Sequence, residues 1–346
     1  MKPRLAISMG DPVGIGPEII VKSLAHNDVD ALVFGDPGAL RAAAELVASP
    51  LEVVEVERAG DPLRPGAISV FAVSRLRPEE RIPAQPGSGS DRAQLDAIFA
   101  AVDAVESGLL DALVTAPISK AAIARAGSVW PGHTELLAEL AGRRRNRDPF
   151  VPVMMLAGDR LRVVTVTTHV ALREVSSVLT EALLVHAIEV VDESLRTSFS
   201  IARPRIAVAG LNPHAGEGGL FGDEESRLFA PAIASTRARG IDVVGPIPGD
   251  AVFRRALEGA FDVVISGYHD QALIPIKLVD FDRAVNVTLG LPFVRTSVDH
   301  GTAYDLAGKG IASATSFDAA LELAERMVRA ARMTSFARLD ALRRGE

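Results

Sequence analysis

Residues 261–308 set more chemistry-bearing side chains among short apolar segments than a structural loop has use for. His269, Asp270 and Gln271 follow a strand-like apolar run. Lys277, Asn286 and Arg295 come next, and the stretch closes on His300, Gly301, Thr302 and Ala303. Metal ligands, cations, hydrogen-bonding amides and a Gly/Thr loop are the parts of a site that binds and transforms a small anionic molecule. This run reads as half of an active site.

Two more histidines share the setting of His269. The apolar run 161–168 ends at His169, and the run 205–211 ends at Asn212, Pro213 and His214. The run 262–267 ends at Tyr268 and His269. The separations suit about one βαβ repeat each, with insertions. Histidines just past the carboxyl ends of three strands can converge, whereas helix-borne ones scatter. Three histidines with open coordination positions are how catalytic Zn²⁺, or a similar divalent ion, is held. Each taken alone is more often a loop residue; their shared placement makes the case. His186 lies mid-helix and His26 in a polar turn, so neither is included.

The elements that must position these residues alternate. Residues 4–9 read as a buried strand running into Gly10-Asp11-Pro12-Val13-Gly14-Ile15-Gly16-Pro17-Glu18, with a helix beginning by residue 19. Strand, glycine loop and helix N-terminus present backbone N–H groups to an anion. The Asp and Pro interrupt a true G-x-G-x-x-G pattern, and the loop alone reads equally as a tight turn. Strands at 31–34 and 51–56 and a helix at 38–47 continue a parallel βα pattern. After a Pro/Gly/Ser break at 83–90 comes a helix over 91–107, then a strand over 111–115 that delivers Ser119 and Lys120 to its carboxyl end, where open α/β sheets bind ligands. His133 and Thr134 in a Gly/Pro turn suit a phosphate, or else Thr134 merely caps a helix. Further helices are expected over 180–195, 251–258 and 318–332.

Composition excludes several classes. The 346 residues are 48% hydrophobic and 23% charged, a globular balance, and at this length two domains or one large α/β unit is the prior. A net charge of −7 offers no field for nucleic acid. The basic run 143–147 reads as a solvated helix end. No apolar window is long enough to span a membrane. The absence of cysteine rules out disulfides and thiolate chemistry, and fits a reducing, cytoplasmic setting.

GDPVGIGPE, TAPISK, GHTE, GLNPHAGEGGLFGDEE, YHDQ and NVTLGLPFVRTSVDHGTAYDLAG occur in that order, and together they resemble the PdxA family of 4-hydroxythreonine-4-phosphate dehydrogenases over essentially the whole chain. GDPVGIGPE and HGTAYDLAGKG also resemble the nicotinamide-binding loops of isocitrate and isopropylmalate dehydrogenases. The resemblance implies an α/β fold of two α/β/α lobes around a central cleft, with residues 1–130 and 299–346 in one lobe and 131–298 in the other. It implies a homodimer sharing a metal across its interface. It also implies NAD (or NADP) on Gly14, Gly16, His300, Gly301 and Thr302, and a divalent metal (Zn first, then Mg, Co or Mn) on His169, His214 and His269. His133, Thr134, Lys277, Asn286 and Arg295 match substrate positions, while Asp250 and Asp270 match carboxylates near the substrate.

The implied reaction oxidises C3 of a phosphorylated 3-hydroxy acid and releases CO₂. Physical reasoning agrees: a metal lowers the pKa of the hydroxyl, Asp270 or Lys120 takes its proton, and cations hold phosphate and carboxylate. KLVDFDRAVN and AYDLAGKGIAS look closer to a branch acting on 4-phospho-D-threonate or 4-phospho-D-erythronate and yielding dihydroxyacetone phosphate. Two other classes compete. A metal-dependent hydrolase or lyase has no use for two dinucleotide loops. A non-catalytic binding protein leaves the three histidines unexplained.

Overall fold

The computed structural model describes residues 2–130, 132–146 and 148–344, so Pro131 of the GHTE turn and Arg147 of the basic run lie outside it. The chain divides into two compact units, Met1–Pro152 with Leu291–Arg329, and Val153–Gly290 with Ala330–Glu346. The expected breaks followed residues 130 and 298; here the chain changes unit after Pro152 and Gly290 instead. His133, Thr134 and Arg295 therefore belong to the first unit. The reason is burial: Leu136 and Leu137 join the cluster built on Phe34, Ile98 and Leu113.

The first unit follows the alternation read from the sequence. Its elements are β1 (Arg4–Ser8), α1 (Gly16–His26), β2 (Asp30–Gly35), α2 (Pro37–Leu46), β3 (Glu52–Val56) and β4 (Ala67–Ala72). Then come α3 (Ser88–Glu106), β5 (Ala112–Thr115), α4 (Lys120–Arg125) and α5 (His133–Arg144). Its strands lie in the order β3-β4-β2-β1-β5, and β12 (Val294–Ser297) adds to β5 on the chain's return. Every pairing in this unit is parallel. Leu5, Ala6 and Ile7 have no exposed surface, which is why β1 reads as an unbroken apolar run rather than an alternating one.

In the second unit β6 (Val153–Ala157), β7 (Arg162–Thr167) and α6 (Val175–Val178) lead to α7 (Glu181–Ser198), β8 (Ile206–Ala209) and α8 (Ala230–Ala238). β9 (Val243–Ile247), α9 (Gly249–Leu257), β10 (Val263–Tyr268), α10 (His269–Asp280) and β11 (Val285–Leu289) follow. The last helix, α11 (Thr315–Arg344), supplies residues to both units. Strand order is β11-β6-β7-β10-β8-β9. β6 pairs antiparallel with β7 and β11, and the remainder are parallel. β10 thus lies between β7 and β8 with all three running the same way, so the three strands followed by histidines end on one edge. Ala207, Val252, Val264 and Ile276 pack beneath them.

Candidate active site

In the first unit the candidate ligand-binding groups come from β12 and from the starts of α4 and α5. Arg295 on β12 is buried, with 3% of its surface exposed, and its Nη2 donates to Thr115 Oγ1 at 2.7 Å. Burial pulls its pKa down to about 10, so it remains charged at neutral pH. His133 and Thr134 are the first residues of α5, and Gly132 rather than Thr134 occupies the N-cap. Burial, and then the cations Arg295 and Lys120, hold the imidazole of His133 well below its ordinary pKa, so it is neutral. Its Nε2 is buried with no hydrogen-bond partner. A buried polar atom of this kind fits a ligand absent from the structure. Lys120 opens α4 behind the N-cap Ser119. Two cations, a half-buried imidazole and the N-terminus of α5 form an anion-binding set.

The glycine loop follows β1. Gly10 has φ +71°, and a Cβ there would strike the Pro117 carbonyl. A Cβ on Gly14 would lie 3.1 Å from both Thr302 Cβ and Thr302 O, and one on Gly16 would strike the Met9 carbonyl. Ile15 N donates to Thr302 O at 3.1 Å, so this loop and the His300–Thr302 loop touch. Gly301 is exposed with open space around it. Two apposed loops with little side-chain cover, ahead of the N-terminus of α1, fit a dinucleotide.

The residues that hold these loops escaped the sequence reading. Asp11, which had merely seemed to spoil a fingerprint, is fully buried and accepts from Tyr304 Oη at 2.5 Å and from Val13 N at 3.0 Å. Burial raises its pKa. Glu18 Oε1 accepts from Gly308 N at 2.5 Å, and Lys22 Nζ donates to the carbonyls of Gly310 and Ala312 at 2.8 and 2.7 Å. Two polar residues one turn apart at the start of an otherwise apolar helix were the available signal.

In the second unit the ring centroids of His169 and His269 are 5.8 Å apart. His269 opens α10 directly after β10, and its Nδ1 lies 2.7 Å from Asp270 Oδ1. A carboxylate on one ring nitrogen leaves the other to a metal, as at many metal-bound histidines. His169 and His214 both adopt left-handed φ values, +41° and +54°, in a region non-glycine residues seldom occupy outside sites that need it. His214 stands apart from the pair, its ring 6.1 Å from Phe221. Among the described residues no group of three or more His, Cys, Asp or Glu is arranged to hold a metal. Two imidazoles, one with a carboxylate behind it, fit two ligands of a borderline divalent ion.

His214, Asp250 and Asp270 instead line one open groove of about 590 Å³, with Tyr268 and Gln271. Gln271 shapes it: its Oε1 accepts from Gly267 N at 2.9 Å and its Nε2 donates to Gly210 O at 2.7 Å, tying the end of β10 to the end of β8. Asp250 lies exposed in the first turn of α9. Asn286 on β11 has a buried Oδ1 with no hydrogen-bond partner, as His133 has at Nε2. Lys277 sits on α10 with its ammonium 5.6 Å from the Phe281 ring centroid.

Parallel βα units that end in histidines, a buried arginine and apposed glycine loops define an α/β protein whose strand ends suit a small anion. The chain matches the family described as "Pyridoxal phosphate biosynthetic protein PdxA" over residues 27–324. It is 47% identical to the 4-hydroxythreonine-4-phosphate dehydrogenase of Geobacter metallireducens over 333 residues, 95% of this chain and 96% of that one. To the enzyme of that name from Desulfosudis oleivorans it is 48% identical over 331 residues, 93% and 95% of the two chains. The crystal structure of 4-hydroxythreonine-4-phosphate dehydrogenase from Klebsiella pneumoniae superposes with a TM-score of 0.85 at 40% identity, covering 95% of this chain and 98% of that one. The chain belongs to the PdxA family.

Proposed function

We propose that this protein is an NAD- and divalent-metal-dependent dehydrogenase. It oxidises C3 of 4-phosphooxy-L-threonine, and the product loses CO₂ to give 3-amino-2-oxopropyl phosphate for pyridoxal phosphate synthesis. The observation that carries this reading is near-full-length identity of 47% to a relative bearing that activity's name, in a chain that also buries the charged Arg295.

Arg295, His133 and Thr134 bind the phosphorylated end, with Lys277 and Asn286 as further polar contacts. His169, His214 and His269 would hold the metal, Zn²⁺ being favoured by an all-imidazole set. Gly14, Gly16, His300, Gly301 and Thr302 would hold NAD. When bound, the metal polarises the C3 oxygen and the nicotinamide accepts hydride. Asp270 orients His269 through the 2.7 Å contact, and either Asp270 or Lys120, the lysine only in its neutral form, takes the hydroxyl proton.

The protein works as a homodimer in the cytoplasm. Ile274, Leu278 and Phe281 are 59%, 80% and 70% exposed at successive turns of α10 and its end, an apolar stripe suited to a second copy. His214 does not close on the His169–His269 pair, which supports a metal set completed by the partner copy.

The test is NADH production by metal-loaded protein offered 4-phosphooxy-L-threonine, 4-phospho-D-threonate and 4-phospho-D-erythronate side by side. Turnover of the amino acid is the expected result. Turnover of a threonate or erythronate alone would make this a sugar-acid enzyme that forms dihydroxyacetone phosphate. No NADH from any of the three would overturn the dehydrogenase reading in favour of a metal-dependent lyase or hydrolase.

A further inference from the structure

We infer that the Asp11–Tyr304 pair is a latch that sets the spacing of the two dinucleotide loops, which makes Tyr304 a positioning residue for the nicotinamide cofactor. The inference rests on the cofactor reading proposed above.

Three connections of the first unit meet at this pair. Asp11 belongs to the loop after β1, Tyr304 to the segment after Thr302, and Ser119 to the connection that delivers Lys120. The phenol donates to Asp11 Oδ2 at 2.5 Å, and the hydroxyls of Ser119 and Thr302 lie beside the phenol oxygen of Tyr304. The other carboxylate oxygen of Asp11 accepts from Val13 N at 3.0 Å, so one side chain shapes its own loop and grips the next. Backbone bonds close the arrangement, with Asp11 N donating to Pro117 O at 2.9 Å and Ile15 N to Thr302 O at 3.1 Å.

A packing role alone does not account for this choice of residues. A fully buried carboxylate is costly to desolvate, and an apolar pair of the same volume would hold two loops together at least as well. What the carboxylate and phenol add is direction and distance: a short hydrogen bond has one geometry, whereas apolar contact tolerates sliding. Spacing matters here because Gly14 already lies against Thr302, where a Cβ would sit 3.1 Å from Thr302 and fit only if the loop gave way by a few tenths of an ångström. A loop displaced by a fraction of an ångström would open or close the surface on which the dinucleotide lies. Burial also raises the Tyr304 pKa to about 12, so the phenol keeps its proton and remains a donor at any working pH.

The experiment measures NADH dissociation constants by fluorescence for wild type, Tyr304→Phe, Asp11→Asn, Asp11→Ala and the Tyr304→Phe/Asp11→Ala double variant, with steady-state KM values for NAD and for the phosphorylated acid. Tyr304→Phe is expected to weaken NADH about tenfold, the worth of one hydrogen bond to a charged group, while KM for the acid changes less than about twofold. Asp11→Asn keeps an acceptor for the phenol and should recover much of what Asp11→Ala loses. The double variant should be no weaker than the weaker single, because both remove the same contact. Asp11→Ala set against Asp11→Asn carries the same comparison if Tyr304→Phe does not fold. Wild-type NADH affinity in folded Tyr304→Phe would overturn the latch, as would losses that add in the double variant. A wild-type protein that binds no NADH would overturn the cofactor reading itself, and the latch with it.

Discussion

Arg295 and His133 show how burial tunes single residues for an anion. Arg295 keeps its charge with 3% exposure, so its hydrogen bonds to a ligand would form out of water, where they are strongest. Arg295→Ala is expected to raise KM for the phosphorylated acid on the order of 10²-fold, the worth of a bidentate charged contact, and to leave KM for NAD within about twofold. Steady-state kinetics in both substrates checks this; equal effects on the two would argue against a substrate role. His133 yields a pH prediction. Its pKa is lowered in the folded chain, so the unfolded chain protonates first as pH falls below about 6.5. Its contribution to stability is complete above that value and is lost as pH falls toward the folded pKa. Melting temperature measured from pH 8 to pH 5 should therefore fall less for His133→Gln than for wild type; parallel curves would show a freely titrating imidazole.

At the scale of elements, the turn after β1 and the ends of β7, β8 and β10 carry the design. Gly10 holds φ +71° against the Pro117 carbonyl, so Gly10→Ala brings both backbone strain and a clash. A loss of roughly 2 kcal/mol or more is expected, larger than a surface glycine gives, and denaturant unfolding measures it. The three adjacent parallel strands place His169, His214 and His269 along one edge, the placement that the proposed shared metal would use. His214→Ala should remove bound metal and turnover while circular dichroism stays unchanged, because the side chain belongs to a surface turn. Full metal content in that variant would exclude His214 as a ligand.

At the scale of the molecule, the stripe of Ile274, Leu278 and Phe281 on α10 is what a single copy leaves uncovered. Leu278→Asp should shift the sedimentation coefficient from dimer to monomer and lower metal affinity with it. A monomeric wild type would refute the assembly, and a monomeric variant with wild-type metal binding would place the whole metal site in one chain. No described helix is long and apolar enough to cross a membrane.

What the sequence determined by itself was local. Apolar runs broken by Gly and Pro located β1, β5, β7, β8 and β10 nearly to the residue, since a strand buried on both faces must be continuously apolar. Placement of His169, His214, His269 and Lys120 just beyond strand ends followed from those runs. β4, β6, β9, β11 and β12 were not legible in advance, nor was helix α10, whose interior Pro275 disguises it. Tertiary structure alone decided the rest. β10 lies between β7 and β8 although it follows both in the chain, and Arg295 returns to β5 across a long separation because burial, not proximity in sequence, selects the partner. The neutrality of His133 and the pairing of Asp11 with Tyr304 arise for the same reason. Propensity is a property of neighbouring residues, whereas desolvation and hydrogen bonding belong to whatever the fold places beside a group.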